Sequence, residues 1–452
     1  MTDSRRTGAA LFVLLFASFA YFYQAGGWNQ NSRFALVRAI TNEGTLNIDP
    51  FQLSTGDKAL FEGHYYSDKA PGLSLTAVPV VALARPIYRT LFHGDAETYE
   101  GLALLSYLSA VFTVGLFTAL AGLVIFSICV ELGASRGGAL FAAITFGLAT
   151  PIWTLATIFI GHAFSASLLV FGFAAVMRIG SADASRDVRL GTMVGLAAGW
   201  AVVSDFTAGV PAILLAIVAA ARAWPLGRRR ATRILAPMTA AALLCAAVLF
   251  GYLYACFRSP LHIPYTSELD RYPGMEQGFF GINPPRWIRL RRILFGSYRG
   301  LLPIAPTLAL APFGYVVMAF KGSRARSAAI VAAIIAVYFI LLNASYTYWE
   351  GGWSYGPRQA SPTIPFLCIG LAAVWTVLPR PGRWFLALLS AYGAAVTLVA
   401  VSTMPLPPAD IRSPVTDFML PAFRDVDLWL GLLFTAGCLF AAARVRRYRD
   451  ET

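Results

Sequence analysis

Apolar residues along the chain fall into long runs separated by short polar segments. Most of these runs are about as long as a helix that spans a bilayer. Twelve of them lie near residues 8–26, 101–131, 138–156, 161–177, 190–204, 207–221, 234–256, 302–320, 327–343, 361–378, 384–403 and 427–443. The pattern predicts an all-α polytopic membrane protein with about twelve transmembrane helices, built as a single transmembrane domain over residues 1–452.

A thirteenth apolar run, 71–92, is placed by the basic residues around the other runs. Seven basic groups lie beside the twelve runs: Arg5 and Arg6, Arg136, Arg178 to Arg189, Arg222 to Arg233, Lys321 to Arg326, Arg380 and Arg383, and Arg444 to Arg449. Cytoplasmic loops carry an excess of Lys and Arg, and all seven groups are cytoplasmic only if 71–92 does not cross. Pro79, Arg85 and Arg89 within this run also suit a juxtamembrane helix. Both chain termini are therefore predicted to be cytoplasmic.

This topology leaves three sizeable polar segments on the exterior face, at 27–100, 257–301 and 344–360. The first exterior loop is the largest. Apolar residues at positions 34, 36, 37 and 40 approximate one helical face, which predicts a membrane-parallel helix over 31–43 that ends at Gly44. We therefore expect juxtamembrane helices in the first exterior loop.

Composition and charge narrow the class of protein. Apolar residues make up 57% of the 452 residues and charged residues 13%, which excludes an ordinary soluble protein. The formal charge of +13 lies in short clusters between apolar runs, so we expect membrane lipids as partners and no nucleic acid. The five cysteines lack metal-site spacing, and no Walker-type loop or HExxH motif is present. No cofactor is predicted; a divalent metal ion stays open, although no carboxylate cluster is visible.

The string Asp68-Lys69-Ala70-Pro71-Gly72 concentrates candidate chemistry at the start of the thirteenth apolar run. Both charged residues stand just ahead of a predicted helix whose first turn holds Pro71. The unpaired amides and positive dipole of a helix N-terminus favour an anion. Lys69 could therefore contact a phosphate, and Asp68 could accept a proton from an attacking hydroxyl. A helix cap with a surface ion pair explains the same residues.

The other two exterior segments carry arginines and aromatic residues. In the second segment Arg299 stands beside a glycine, apart from the basic stretch 286–292, which also fits an amphipathic helix on lipid headgroups. Exterior arginines need an anionic partner, and guanidinium groups bind phosphate oxygens bidentately. In the third segment Trp353 and Arg358 follow a pair of glycines. This pattern favours a ligand-binding loop over a simple interfacial belt of aromatic residues.

Two polar residues lie at the predicted exterior ends of apolar runs. His162 is at the end of the fourth span, and Asp205 lies between the fifth and sixth spans. Polar residues at such depth usually face a cavity. His162 fits equally well as a hydrogen-bonded histidine within the packed bundle.

Four strings resemble those of bacterial proteins in the GT-C superfamily of polyprenyl-phosphate-dependent glycosyltransferases. They are Ser32-Arg33-Phe34-Ala35, Gly63-His64-Tyr65-Tyr66-Ser67-Asp68-Lys69-Ala70-Pro71-Gly72, Tyr298-Arg299-Gly300-Leu301-Leu302 and Gly351-Gly352-Trp353-Ser354-Tyr355-Gly356-Pro357-Arg358. The layout of nearly the whole chain resembles the branch of lipid A aminoarabinose transferases and protein O-mannosyltransferases. The resemblance implies a GT-C-like fold in a bacterial inner membrane and a polyprenyl-phosphate-linked sugar, used on the periplasmic face.

The resemblance also implies roles for individual residues. Lys69 matches the lysine that contacts the lipid phosphate, and Asp68 matches an acid that precedes it in some members. The acid at the end of the first span falls on Gln30 or Asn31 here, so the catalytic carboxylate is expected elsewhere. The expected catalytic acids are Asp68, Asp57 and Asp49. The expected substrate-binding and phosphate-binding residues are Lys69, Arg299, Arg358, Arg33, Asn31, His162, Tyr66 and Trp353.

The expected reaction is direct displacement of polyprenyl phosphate by a hydroxyl of a glycan, lipid or protein acceptor, with inversion at the anomeric carbon. A carboxylate would deprotonate the acceptor while Lys69, Arg299 and Arg358 neutralise the departing phosphate. Three alternatives stay open: an oligosaccharide ligase or polymerase, a lipid-linked-sugar flippase or transporter, and a non-catalytic binder of lipid-linked sugar. The large first exterior loop and the missing internal repeat weigh against a flippase.

Overall fold

The apolar runs form helices, which satisfy their own backbone hydrogen bonds where a bilayer cannot. The computed structural model describes residues 2–181, 183–268, 274–417 and 421. Its main helices are α1 (Thr2–Tyr21), α2 (Trp28–Arg38), α3 (Gly72–Phe92), α4 (Tyr99–Glu131), α5 (Arg136–Leu148), α6 (Gly161–Arg178), α7 (Asp187–Ser204), α8 (Phe206–Leu226), α9 (Arg228–Phe257), α10 (Trp287–Phe295), α11 (Pro306–Ala319), α12 (Ser323–Ser345), α13 (Ser361–Val377) and α14 (Arg380–Thr403).

Eleven of the twelve predicted apolar runs correspond to helices in the described residues, but α1 and α7, on the runs 8–26 and 190–204, are not among those long and apolar enough to cross a membrane. Among the described residues, seven helices are long and apolar enough to cross a membrane, namely α3, α4, α6, α8, α9, α12 and α14. The helices α5, α11 and α13 are shorter but also apolar. The predicted span 427–443 and the basic group from Arg444 to Arg449 lie outside the described residues. The chain therefore has the predicted multi-pass, helical membrane fold, and the exact number of spans stays a prediction.

The helix α3 corresponds to the thirteenth apolar run. Its length and composition would suffice for a span, although Pro79 and Pro86 lie inside it. Arg85 is buried, and its Nη2 donates a hydrogen bond to Glu97 Oε1 at 2.8 Å. The charge of Arg85 is thus paired within the protein, whereas Arg89, one turn later, is exposed. The assignment of α3 as a juxtamembrane helix stays a prediction.

The first predicted exterior loop begins with α2, which continues as a π-helical turn over Ala39–Glu43. Gly44 ends the turn in the left-handed conformation, with φ of 66°, which glycine adopts at little cost. The helix expected over 31–43 is therefore present with the expected stop, and it starts at Trp28. Its orientation relative to the membrane stays a prediction.

A short β-hairpin follows α2 and was missed by the sequence analysis. Strands β1 (Lys58–Phe61) and β2 (His64–Ser67) pair antiparallel. The turn residues Glu62 and Gly63 both have positive φ, 49° and 84°, as in the tight turns that suit hairpin twist. Strands this short leave no mark in a pattern of long apolar runs. The hairpin matters because its two outer ends lie side by side.

Close helix packing sets the position of α7. A Cβ built at Gly191 would lie 2.0 Å from the carbonyl oxygen of Ile234 on α9, and one at Gly195 would lie 2.1 Å from that of Met238. Only glycine fits at such distances, and small residues commonly allow this approach between membrane helices. The end of α7 is therefore held against α9.

The start of α3 abuts this end of α7. A Cβ built at Gly72 would lie 2.8 Å from the backbone nitrogen of Ser204, so the two helix ends touch through a glycine. Lys69 lies three residues before the start of α3, and Asp205 directly follows α7. The junction therefore brings the loop with Lys69 and the turn with Asp205 to the same cavity.

Candidate active site

A cavity of about 560 Å³ opens where helix ends meet the predicted exterior segments. The acidic and basic residues that line it in the described chain are Arg33, Lys69, Asp205, Glu268 and Arg358, and His162 and His262 line it as well. A larger groove of about 930 Å³ follows α9, and Arg228 is the one charged residue among those that line it in the described chain. Candidate chemistry therefore concentrates in the smaller cavity.

Lys69 sits between two buried carboxylates. Its Nζ lies 2.5 Å from Asp68 Oδ2 and 2.9 Å from Asp57 Oδ2. Asp57 precedes β1 and Asp68 follows β2, so the hairpin brings them together. Ser32 Oγ donates a weaker hydrogen bond to Asp68 Oδ1 at 3.3 Å. Among the described residues Lys69 lines the cavity, whereas Asp57 and Asp68 lie behind it.

Glu268 adds a third carboxyl group to this cluster. It lines the cavity and forms a β-bridge with Ala59 of β1. Burial, followed by a hydrogen bond with Asp68 and repulsion from its charge, raises the pKa of Glu268 to about 9. The Glu268 carboxyl group therefore holds a proton at neutral pH and shares it with Asp68. The contact was not predicted, because nothing local links residues 200 positions apart.

His162 and Asp205 form a second pair on the cavity wall. His162 Nδ1 lies 3.0 Å from Asp205 Oδ2, and Asp205 Oδ1 accepts hydrogen bonds from Thr207 N at 3.1 Å and Thr207 Oγ1 at 2.7 Å. Burial alone would raise the pKa of Asp205. The hydrogen bonds from His162 and Thr207 outweigh burial and hold this pKa below its usual value. Asp205 is therefore a carboxylate at neutral pH.

Arg33 belongs to α2, and its side chain lines the cavity. Its Nε donates to Asn29 Oδ1 at 3.1 Å and its Nη1 to the carbonyl oxygen of Ala70 at 2.8 Å. A Cβ at Gly161 would lie 3.1 Å from Arg33 Nη2, so the guanidinium group passes directly beside the start of α6. Arg33 lines the cavity, and its predicted role in binding substrate or phosphate stays a prediction; Asn29, four residues earlier on the same helix face, lines it as well and was not predicted.

Arg358 and Arg299 form a cationic side of the site. Arg358 lines the cavity and follows Gly351 and Gly352, which have φ of 71° and 70°. The backbone of the loop that the glycine pair predicted is therefore irregular. Arg299 is only 1% exposed and lies behind this wall, where Nη2 donates to the carbonyl oxygen of Pro408 at 3.1 Å. Within the described residues, Arg299 Nε, Arg299 Nη1 and Arg358 Nε are buried without a hydrogen-bond partner. The unpaired Nε of Arg358 belongs to a residue that lines the cavity and is placed to bind an anion, whereas the buried Arg299 would act on an anion through its charge alone.

Two predicted residues of the first loop serve local structure in the described chain. Asn31 Nδ2 donates to the carbonyl oxygen of Ser54 at 2.8 Å. Asp49 pairs with His64 Nδ1 at 2.7 Å and accepts from the backbone nitrogen of Tyr65 at 2.6 Å. Neither side chain is among the described residues that line the cavity.

Two predicted aromatic residues also lie off the cavity. Tyr66 packs on Phe257 with ring centroids 5.3 Å apart, and Trp353 is 53% exposed. Gln30, one position at which the resembling family has its acid, is buried and accepts from the backbone nitrogen of Phe159 at 3.1 Å. In the described chain, neither Gln30 nor Asn31 lines the cavity, whereas the neighbouring Asn29 does.

No group of three or more His, Cys, Asp and Glu side chains in the described ranges is arranged to hold a metal ion. The binding of a divalent metal ion, which the sequence analysis neither predicted nor excluded, stays untested. The Lys69 cluster contains three carboxyl groups, but an ammonium group occupies its centre.

Comparison with known proteins identifies the fold. No family model and no curated protein sequence matches the chain. The structure is similar to ArnT from Cupriavidus metallidurans bound to undecaprenyl phosphate, with 18% identity over 97% of this chain and 71% of that one, and a TM-score of 0.51. The apo state of the same protein matches at 20% identity over 87% and 64%, also with a TM-score of 0.51. The chain therefore has a GT-C-like polytopic membrane fold.

Proposed function

We propose that the protein is a membrane glycosyltransferase that moves a sugar from a polyprenyl-phosphate donor to an acceptor hydroxyl, with inversion. The observation that carries the proposal is the cavity, whose wall has both cationic and apolar parts. The ArnT structure of similar fold holds undecaprenyl phosphate, a ligand with the same two parts. The site would face the periplasm of a bacterial inner membrane, with both termini in the cytoplasm.

The apolar part of the cavity suits a polyprenyl chain. Leu249 and Leu253 come from α9, and Leu342 comes from α12. Both helices are long and apolar enough to cross a membrane. Phe250 of the same wall is 43% exposed on α9, so the lipid chain can leave the cavity toward the bilayer. Apolar burial then contributes to donor binding along the chain.

The cationic part suits the donor phosphate. Lys69, Arg33 and Arg358 line the cavity, and Arg299 lies behind Arg358. These groups would neutralise the charge that develops on the phosphate oxygen as the anomeric carbon–oxygen bond breaks. Fixed cations in a site of low water content stabilise such charge without reorganisation. No nucleotide is needed, because the polyprenyl phosphate is itself the leaving group.

The predicted acids would contribute mainly by holding Lys69 in position. Asp68 and Asp57 hold the ammonium group at 2.5 Å and 2.9 Å, which fixes its position for the phosphate. Asp49 would pin the hairpin through His64 and the Tyr65 backbone. The acceptor, a glycan, lipid or protein hydroxyl, would enter from the polar side of the cavity beside His162 and Asp205.

The test is a transfer assay with purified protein in liposomes. The probes are polyprenyl-phosphate-linked sugars extracted from bacterial membranes, and the readout is free polyprenyl phosphate measured by mass spectrometry. Loss of one positioned cation should reduce the rate by roughly 10²–10³-fold, as expected for Arg358→Ala. Arg186→Gln, an exposed arginine outside the cavity, is the matched control. Wild-type protein that binds or translocates the lipid without cleaving it would contradict the proposal.

Lys69 needs a second variant because Lys69→Ala alone leaves two buried carboxylates without their partner. Breaking a buried pair in this way costs about 3–5 kcal/mol and would impair folding. The triple variant Lys69→Met, Asp57→Asn, Asp68→Asn removes the charges together and should fold. It should still fail to release polyprenyl phosphate. Wild-type turnover in this variant would remove Lys69 from the proposed mechanism.

A further inference from the structure

The pair of His162 and Asp205 has an arrangement that the expected role of His162 in binding substrate or phosphate does not explain. The imidazole is anchored at one nitrogen only: Nδ1 lies 3.0 Å from Asp205 Oδ2. Nε2 has no hydrogen-bond partner within the described residues, and His162 lines the cavity. One ring nitrogen is thus held by a carboxylate while the other is left for a ligand.

The protonation state of the pair follows from its hydrogen bonds. Thr207 donates to Asp205 Oδ1 through both its backbone nitrogen and its hydroxyl, so Asp205 is an ionised acceptor. His162 Nδ1 must then carry the hydrogen of the bond to Oδ2. In the neutral imidazole Nε2 consequently keeps a free lone pair. A histidine oriented by a carboxylate in this way is a general base.

The alternative base is disfavoured by geometry. Asp68 is 0% exposed and its Oδ2 is taken by Lys69, so an acceptor hydroxyl has no route to it. Glu268 lines the cavity but already carries the proton that a base must accept. The second histidine of the cavity, His262, has its Nε2 beside the hydroxyls of Ser267 at 3.0 Å and Thr266 at 3.2 Å. His162 is the cavity histidine that a carboxylate orients among the described residues, and a carboxylate stabilises the imidazolium ion that a base becomes.

We infer that His162, positioned by Asp205, is the general base that activates the acceptor hydroxyl. This inference rests on the proposed function. The acceptor O–H proton passes to His162 Nε2 as the oxygen bonds to the anomeric carbon. The bond from that carbon to the phosphate oxygen breaks, and its electron pair leaves on polyprenyl phosphate. The imidazolium ion that forms is stabilised by Asp205 and later releases its proton to water.

The surroundings of the pair bear on its pH dependence. Arg33 Nη2 lies directly beside Gly161, the residue before His162. The other titratable or charged side chains that line the same cavity are Lys69, His262, Tyr265, Glu268, Tyr338, Tyr346, Tyr348 and Arg358. Burial raises the pKa of Tyr265 to about 12, so it stays neutral near neutral pH. A rate that rises with pH only while residue 162 is a histidine is then the signature of a histidine base.

The experiment uses the same liposome assay with purified wild-type, His162→Ala and Asp205→Asn proteins. His162→Ala should lower the rate of release of polyprenyl phosphate by about 10²–10⁴-fold. Its residual activity should lose the rise with pH, and added imidazole should restore part of the rate. Asp205→Asn should also slow transfer, because an amide can donate to Nδ1 and leave the proton on Nε2.

The chain offers a control in a histidine that lies off the cavity. His93 is exposed at the end of α3 with φ of 50°, a conformation that asparagine also adopts, so His93→Asn should transfer sugar at the wild-type rate. Binding of undecaprenyl phosphate should be unchanged in His162→Ala. His162→Asn, whose amide can donate to Asp205 in place of Nδ1, should keep the wild-type melting temperature and still transfer slowly, which separates catalysis from folding. Failure of wild-type protein to transfer sugar overturns the proposed function and the inference with it. Wild-type transfer together with an unchanged rate and pH profile in His162→Ala overturns the inference alone.

Discussion

The ammonium group of Lys69 is surrounded by three carboxyl groups, yet only two of them carry charge. Asp57 and Asp68 pair with it directly, while burial keeps Glu268 protonated. Three ionised acids in one buried cluster would repel each other strongly. Sharing a proton between Asp68 and Glu268 limits that repulsion and leaves the cluster of two carboxylates and one ammonium group with a single net negative charge.

Glu268 should therefore make stability depend on pH. Its folded-state pKa of about 9 lies above the value of about 4.5 for a free glutamate. The folded state thus binds an extra proton, and its contribution to stability is fully present below pH 4.5 and is lost as pH rises through 9. Glu268→Gln keeps the neutral form at every pH. We expect its melting temperature to exceed that of wild type increasingly from pH 5 to pH 9.

The measurement is a series of thermal melts of both proteins in one detergent. Glu100→Gln, an exposed acid at the start of α4, is the control and should follow the wild-type curve. Parallel curves for wild type and Glu268→Gln across the whole range would mean that Glu268 is ionised in the folded protein.

At the scale of elements, the site is assembled by two junctions. The hairpin joins the ends of β1 and β2, and the glycine contact joins the start of α3 to the end of α7. The first junction builds the Lys69 cluster, and the second sets that cluster beside the pair of His162 and Asp205. Distances between these groups therefore depend on helix packing rather than on the loops alone.

Gly72→Ala should test the second junction. The new Cβ would lie 2.4 Å from Ser204 Oγ and 2.8 Å from the Ser204 backbone nitrogen, and the backbone cannot move aside. Overpacking of this kind costs about 1–3 kcal/mol. A displacement of catalytic groups by about 1 Å can cost roughly 10²-fold in rate. We expect release of polyprenyl phosphate to fall by about that factor, with only a modest drop in melting temperature.

The control for this variant is Gly209→Ala in α8. A Cβ there meets no atom within 4 Å, and alanine is the better helix former, so activity and stability should be retained. A wild-type rate in Gly72→Ala would show that the contact between α3 and α7 does not set the distances between the groups of the site.

At the scale of the whole molecule, the position of α3 relative to the bilayer decides the topology. If α3 lies beside the membrane, the basic groups after α4 all fall on one side and the cavity opens on the other. If α3 crosses, every later loop changes side. The buried pairing of Arg85 with Glu97 is compatible with either position, so topology calls for a direct measurement.

Cysteine labelling with a membrane-impermeant maleimide provides that measurement. Cys129, Cys245, Cys256 and Cys368 are buried, so Cys438→Ser alone gives a suitable background. We expect Leu53→Cys before α3 and Glu100→Cys after it to react from the same face of sealed vesicles. Arg186→Cys, in a predicted cytoplasmic loop, should react only from the opposite face. Labelling of Leu53→Cys and Arg186→Cys from one face and of Glu100→Cys from the other would establish that α3 crosses.

Much of the fold was predictable from the chain alone. Long apolar runs must become helices in a bilayer because no other single segment satisfies its own backbone groups there. Gly44 stops its helix for an equally local reason, its left-handed backbone. Asp68 and Lys69 are neighbours in sequence, so their pairing was within reach of a local argument. Lys69, Arg33, Arg358 and His162 were all predicted site residues, and all four line the cavity.

Only the tertiary structure decided which groups meet. The hairpin turns Asp57 toward Lys69, and the chain returns to place Glu268 against Asp68. It also directs the Asp49 side chain to the hairpin and Trp353 to the surface. Hydropathy determines which segments are helical because an apolar segment in a bilayer must pair its own backbone groups, and that pairing is decided within the segment. Side-chain direction and long-range contact depend instead on how finished helices pack, and that information is spread over the whole chain.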